Sequence, residues 1–195
     1  MSPAASGLVV VLRARQGRPG WTGSHAVTRL LTAGYTAAVL ALTVFPIVVT
    51  TGKYADMQPW TSQVNYVPML SPDPSIAANV LLTVPLGMLL PLMSAKAGSL
   101  ARVTVVAAAV SLSIELTQLL MFIMCHNARS ADVTDLIVNT LGGMVGYLAL
   151  RLASRVRATA RLLDALALPG SATATRQHEV RAGALHPVDT TVARS

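Results

Sequence analysis

An all-α fold, a four-helix bundle that crosses a membrane, is what this sequence predicts, and three observations carry that reading. Hydrophobic residues make up 53% of the 195 and charged residues only 12%, with a positive mean hydropathy. Soluble domains carry about 25% charged residues. Four runs also approach the ~20 apolar residues that cross a ~30 Å hydrocarbon core as a helix. Finally, basic residues gather beside one set of run ends, as the positive-inside rule describes for cytoplasmic loops.

Taken in chain order, residues 1–29 read as a cytosolic extension. Its short apolar run, Leu8 to Leu12, is too brief to span and precedes its arginines, whereas a secretory signal follows its basic residues. Residues 30–152 form the membrane domain, with spans over Leu30 to Val49, Ile76 to Met93, Val103 to Met124 and Val133 to Leu152. The loop "QPWTSQVNYVPMLSPDPS" is dense in proline, serine and aromatics, which favours an ordered, turn-rich segment with Trp60 and Tyr66 at headgroup level. Residues 153–195 form a basic cytosolic tail: "RLASRVRATARLLDALALPG" suggests a helix along the inner surface. From Gly170 onward Ser, Thr, Ala, Arg and Pro dominate, and such a composition predicts disorder.

The net charge of +7 has its cause in this layout. Arg13, Arg15, Arg18 and Arg29, then Lys96 and Arg102, then Arg151, Arg155, Arg157 and Arg161 flank one side of the spans, while Lys53 and Arg129 on the other side are offset by Asp56, Asp73 and Asp132. Both termini are therefore expected in the cytoplasm, with membrane lipids as the surroundings and no nucleic-acid partner. The single cysteine, Cys125, excludes an intrachain disulfide and any cysteine-rich metal site. No cofactor is implied.

Polar residues inside the spans fall on helical faces, because positions three and four apart lie on one side of a helix. Ser111, Glu115 and Gln118 form one stripe; Asn79, Thr83 and Gly87 form a second; Asp132, Asp135, Asn139, Gly142 and Gly146 form a third. Such faces turn away from lipid, since a charged side chain at the bilayer centre costs ~2.5–3.5 kcal/mol on insertion scales. The three stripes are expected to meet. Gly142 and Gly146, with Gly143 alongside, permit close backbone approach in the small-xxx-small manner, Gly87 is a further packing position, and Pro85 frees the Leu81 carbonyl near the same stripe. At ~1.5 Å per residue, Asn79, Glu115, Gln118, Asp132, Asp135 and Asn139 all fall toward the outer side, with Arg129 at the rim.

A purely structural account competes at several of these positions. Asn79 and Gln118 suit interhelical hydrogen bonds of about 0.6 kcal/mol each, Asp132 suits a helix N-cap, and Arg129 suits a headgroup anchor. His126 reads as a loop residue, and no ligand spacing of an established metal site is present. Glu115 differs, because an acid this deep in an apolar segment is a functional hypothesis by default.

The chain also resembles the VanZ-like integral membrane proteins over about Ala33 to Leu152. The resemblance lies in "NYVP" (Asn65 to Pro68), "NVLLTVPLG" (Asn79 to Gly87), "ELTQ" (Glu115 to Gln118) and "RSADVTDLIVNTLGGMVGY" (Arg129 to Tyr147). Thr83 stands where an aromatic is common in the family, and Thr134 where a further acid is common. The resemblance implies an association with resistance to teicoplanin, a lipoglycopeptide that binds cell-wall precursors at the outer membrane face.

Two functions follow as expectations. In the first, Asn79, Glu115, Gln118, Arg129, Asp132, Asp135 and Asn139 recognise a lipid-linked cell-wall precursor or a lipoglycopeptide at the outer leaflet, with Leu, Val and Met walls accepting the lipid tail. The alternative is an enzyme acting on a lipid headgroup, with Glu115 or Asp135 as acid or base. No nucleophile is placed beside a histidine base by spacing, which sets the binding protein first.

Overall fold

The computed structural model describes residues 9, 12–13, 16–17, 21, 23–45, 47–54, 58–68, 74–126 and 130–185. Its helices are α1 (Ser24–Thr43), α2 (Pro74–Met93), α3 (Leu100–Cys125), α4 (Val133–Ala153), α5 (Arg157–Leu166) and α6 (Ala172–Leu185). Four helices, with bounds Ser24–Thr43, Ser75–Met93, Leu100–Cys125 and Val133–Ala153, are long and apolar enough to cross a membrane. All four overlap the spans expected from the sequence.

Local chemistry sets their ends. Proline at the first position of α2 costs nothing there, because the first amides of a helix have no intrahelical acceptor. Ser99 caps α3 by accepting from the Arg102 amide, and Asp132 caps α4 by accepting from the Thr134 amide. At its other end α3 stops at His126, whose φ of 52° is left-handed while its amide still reaches the Phe122 carbonyl. The first span is displaced from expectation: α1 starts at Ser24 and stops at Thr43, not 30 to 49. Proline at 46 in the sequence disfavours helix at the residue before it, so the β-branched run "IVVTT" that continues the apolar stretch is left outside the helix.

Burial is inverted relative to a soluble bundle. Leu81, Val105, Leu112, Leu116, Leu120, Leu141, Leu148 and Leu152 are exposed on the outside, while Thr83, Ser111, Glu115 and Asn139 are buried between helices. An apolar girdle this extensive needs a covering phase, and lipid supplies it.

The tightest contact is between α2 and α4. A Cβ built on Gly87 would overlap the Gly143 backbone, and one built on Gly146 would overlap the Val84 carbonyl. The expected packing glycines therefore lie where the two backbones touch, and a side chain at either position requires the helices to separate. Against this pair α3 lays Val103 and Ala107, both fully buried, with the Ala107 methyl over Gly143. α1 sits at the periphery, where Tyr35 donates to the Leu82 carbonyl at 2.9 Å, one residue from the Leu81 carbonyl that Pro85 leaves without an amide.

The C-terminal segment corrects an expectation. Composition predicts disorder from Gly170 onward, yet Ala172–Leu185 is helix; residues 186–195 lie outside the described residues. The reason is local: the carbonyls at the end of α2 lack helical partners, and this segment supplies them. The Leu168 amide donates to the Leu92 carbonyl at 2.8 Å, the Ala172 amide to Ser94 at 3.2 Å and the Thr173 hydroxyl to Pro91 at 3.1 Å. Leu163 and Ala167 then close a core with Leu92 and Leu150.

Thr28 ties the same segment to α1, donating to the Leu166 carbonyl at 2.6 Å from a fully buried position. Thr28→Val keeps the shape and removes the donor, so the expected loss is about 1–2 kcal/mol, read as a lowered midpoint of thermal unfolding in detergent micelles. An unchanged midpoint would mean that α1 and α5 separate in solution.

Candidate functional site

The polar residues of the seam meet at the end of the bundle where α3 ends and α4 begins. Two short strands organise it: β1 (Val64–Asn65), from the loop before α2, and β2 (Ala131–Asp132), immediately before α4. They pair in parallel with Asn65 opposite Asp132. In the described part of the loop expected to be turn-rich, residues 58–68, a 3-10 turn over Trp60–Gln63 leads directly into β1. Trp60 and Tyr66 are both exposed there.

Glu115 projects from α3 toward β2. It is only 6% exposed, and its carboxylate accepts the Asp132 backbone amide at 2.9 Å. Asp132 in turn accepts the Thr134 amide at 2.6 Å through one oxygen and the Asn65 amide group at 3.0 Å through the other. One chain of hydrogen bonds thus joins α3, β2, β1 and the start of α4. The N-cap role foreseen for Asp132 is present together with this second bond.

Two further pairs complete the seam. The Asn79 side-chain amide on α2 donates to Asp135 on α4 at 2.5 Å, and Thr83 one turn on donates back to the Asn79 carbonyl at 3.0 Å. Deeper still, Asn139 donates to the Ser111 hydroxyl at 3.1 Å, and its Oδ1 is buried without a hydrogen-bond partner. A buried amide oxygen in that state is costly, and Asn139 is 4% exposed.

Of the residues singled out in the sequence, Asn79, Glu115, Asp132, Asp135 and Asn139 are brought into this one region. Gln118 is not: it reaches the Thr43 carbonyl at the end of α1, at 3.3 Å, and serves as an interhelical tie. Arg129 lies outside the described residues. Asn65 was not among the expected site residues, although it opens one of the quoted motifs; only the strand pairing, a contact between distant loops, reveals its place opposite Asp132. Ser111 was legible in the stripe but not as the partner of Asn139. Among the described residues no group of three or more His, Cys, Asp or Glu side chains assembles that could hold a metal ion.

Beside Glu115 the bundle has a cavity of about 140 Å³. Leu112, Leu116, Leu119 and Leu136 line it with Val64 and Val133, and its polar members are Glu115 and Asp132. Leu112 and Leu116 are themselves 47% and 55% exposed, so the cavity reaches the flank of the bundle where lipid would lie. The surface it presents is apolar, and Glu115 and Asp132 are among the residues that border it.

A multi-pass α-helical membrane protein with a polar seam between its spans is the class that this fold and site define. The family model described as VanZ/LLP1 matches residues 32–154, and the chain belongs to the VanZ-like family. No curated protein and no solved structure matches the chain.

Proposed function

We propose that this protein binds a lipid-linked or lipidated ligand, a cell-wall precursor or a lipoglycopeptide antibiotic, at the outer leaflet of the bacterial plasma membrane. The observation that carries the reading is the apolar cavity on the flank of the bundle, which has leucine walls and is bordered by Glu115 and Asp132. A short length of an acyl or prenyl chain entering from the bilayer fits against Leu112, Leu116 and Leu136, and the sugar or peptide head reaches Glu115 and Asp132 as these bordering side chains turn toward it. Behind these two, Asn79 and Asp135 tie α2 to α4 and Asn139 ties α4 to α3 through Ser111.

The outer-leaflet assignment follows from charge. Lys96, Arg102, Arg151, Arg155, Arg157 and Arg161 all lie at the end opposite Glu115, and the positive-inside rule assigns that end, with both termini, to the cytoplasm. Membership in the VanZ-like family, whose founding member is linked to teicoplanin resistance, supports an outer-face ligand.

The test is resistance to teicoplanin, with vancomycin as control, in a sensitive host making the wild type or Glu115→Gln at matched membrane levels. Wild type is expected to raise teicoplanin resistance selectively, and Glu115→Gln to lose most of the rise. Equal resistance with both proteins would remove Glu115 from the site; none with either would remove this ligand class.

A further inference from the structure

A second groove lies at the other end of the bundle, on the outer flank of α3. It has a volume of about 580 Å³ and is lined by Lys96, Ala101, Arg102, Val105 and Val106, within the ~300–1,000 Å³ of small-molecule pockets. Lys96 stands in the 3-10 turn Ala95–Ala97 that joins α2 to α3, and Arg102 in the first turn of α3. Both side chains are exposed, and neither pairs with a carboxylate among the described residues. One turn further into the span, Val105 is 68% and Val106 37% exposed.

Depth separates these groups into a polar and an apolar level. α3 has 26 residues and is therefore about 39 Å long, some 9 Å more than a ~30 Å hydrocarbon core. The cost of burying a cation in hydrocarbon holds Arg102 in the headgroup layer, and Val105 and Val106, about 4.5–6 Å further along the helix, face the start of the acyl region. Two cations above an apolar trough match a molecule with an anionic head and a hydrocarbon tail.

We propose that this groove binds one anionic phospholipid, its phosphate between Lys96 and Arg102 and one acyl chain along Val105 and Val106. The occupant is a membrane phospholipid and not a soluble phosphate compound, because the groove continues into the span where only an acyl chain can follow. The site is independent of the Glu115 reading, being at the opposite end of the bundle and on different residues.

The experiment is native mass spectrometry of the full chain released from nanodiscs containing equal dioleoylphosphatidylglycerol and dioleoylphosphatidylcholine. Wild type is expected to retain one phosphatidylglycerol in preference to phosphatidylcholine. Lys96→Ala with Arg102→Ala is expected to reduce that preference on the order of thirtyfold, the worth of two cations at the membrane surface. Val105→Trp fills the trough, leaves both cations in place and is expected to weaken retention as well, which tests the apolar half separately at an exposed position. Arg157→Ala with Arg161→Ala removes the same charge from the same end, outside the groove, and is expected to leave retention intact. Equal losses in the two charge variants would show a diffuse basic surface and overturn the site, as would equal retention of both lipids by wild type or displacement of phosphatidylglycerol by inorganic phosphate.

Discussion

Gly146→Ala, a single added methyl, will destabilise the bundle by about 3 kcal/mol. The new Cβ would overlap the Val84 carbonyl oxygen and come within 3.1 Å of the Gly87 Cα. Backbone atoms on a packed helix cannot swing aside as the end of a flexible side chain can, so α2 and α4 must separate along their whole contact. Overpacking of this kind costs about 1–3 kcal/mol and occasionally more, and the upper end applies because both obstructing groups are main chain. In addition, the separation lengthens the Asn79–Asp135 bond, which at 2.5 Å spans the same two helices. Gly34→Ala is the control: a Cβ there meets nothing within 4 Å, and exchanging an exposed helical glycine for alanine should stabilise by roughly 0.5–1 kcal/mol. Reversible unfolding in mixed micelles measures both. If the two substitutions shift stability equally, α2 and α4 do not touch at Gly146.

The reason these glycines could be read in advance is their period. Gly142 and Gly146 stand four apart in an apolar helix, and Asn79, Thr83 and Gly87 repeat at the same interval; a helix places each set on one face whatever else the fold does. The stripes of Glu115, Asp135 and Asn139 were legible for the same reason. What period cannot report is the contact between segments far apart in sequence. Asn65 meets Asp132 across 67 positions, and nothing in either loop alone marks them as strand partners. Gln118 shows the converse error: its spacing from Glu115 is right for a common stripe, but a helix face has width, and the extra rotation turns Gln118 to α1 instead. Composition misled at Ala172–Leu185, because helicity there is secured by the unpaired carbonyls ending α2, which belong to another part of the chain.

Glu115→Leu and Glu115→Gln are expected to part company, and the difference separates the structural duty of this residue from its proposed binding duty. Leucine removes the acceptor of the Asp132 amide, a 2.9 Å bond made from a position 6% exposed to solvent. An amide left without a partner in such surroundings costs about 1–3 kcal/mol. The consequences spread from there: Asp132 holds Asn65 and caps α4, so a displaced β2 loosens β1 and the first turn of α4 together. A total loss of roughly 2–3 kcal/mol is expected, with faster hydrogen exchange at the Asp132 and Thr134 amides than elsewhere in α4. Glutamine keeps an oxygen at the same reach, so Glu115→Gln should stay within about 1 kcal/mol of wild type and preserve slow exchange at both amides. The exchange turns the second carboxylate oxygen, the one not bonded to the Asp132 amide, into an amide donor. A folded Glu115→Gln protein without teicoplanin resistance therefore assigns the carboxylate to recognition, whereas Glu115→Leu as stable as wild type would mean that the Asp132 amide has another acceptor and that β1 and α4 hold β2 without α3.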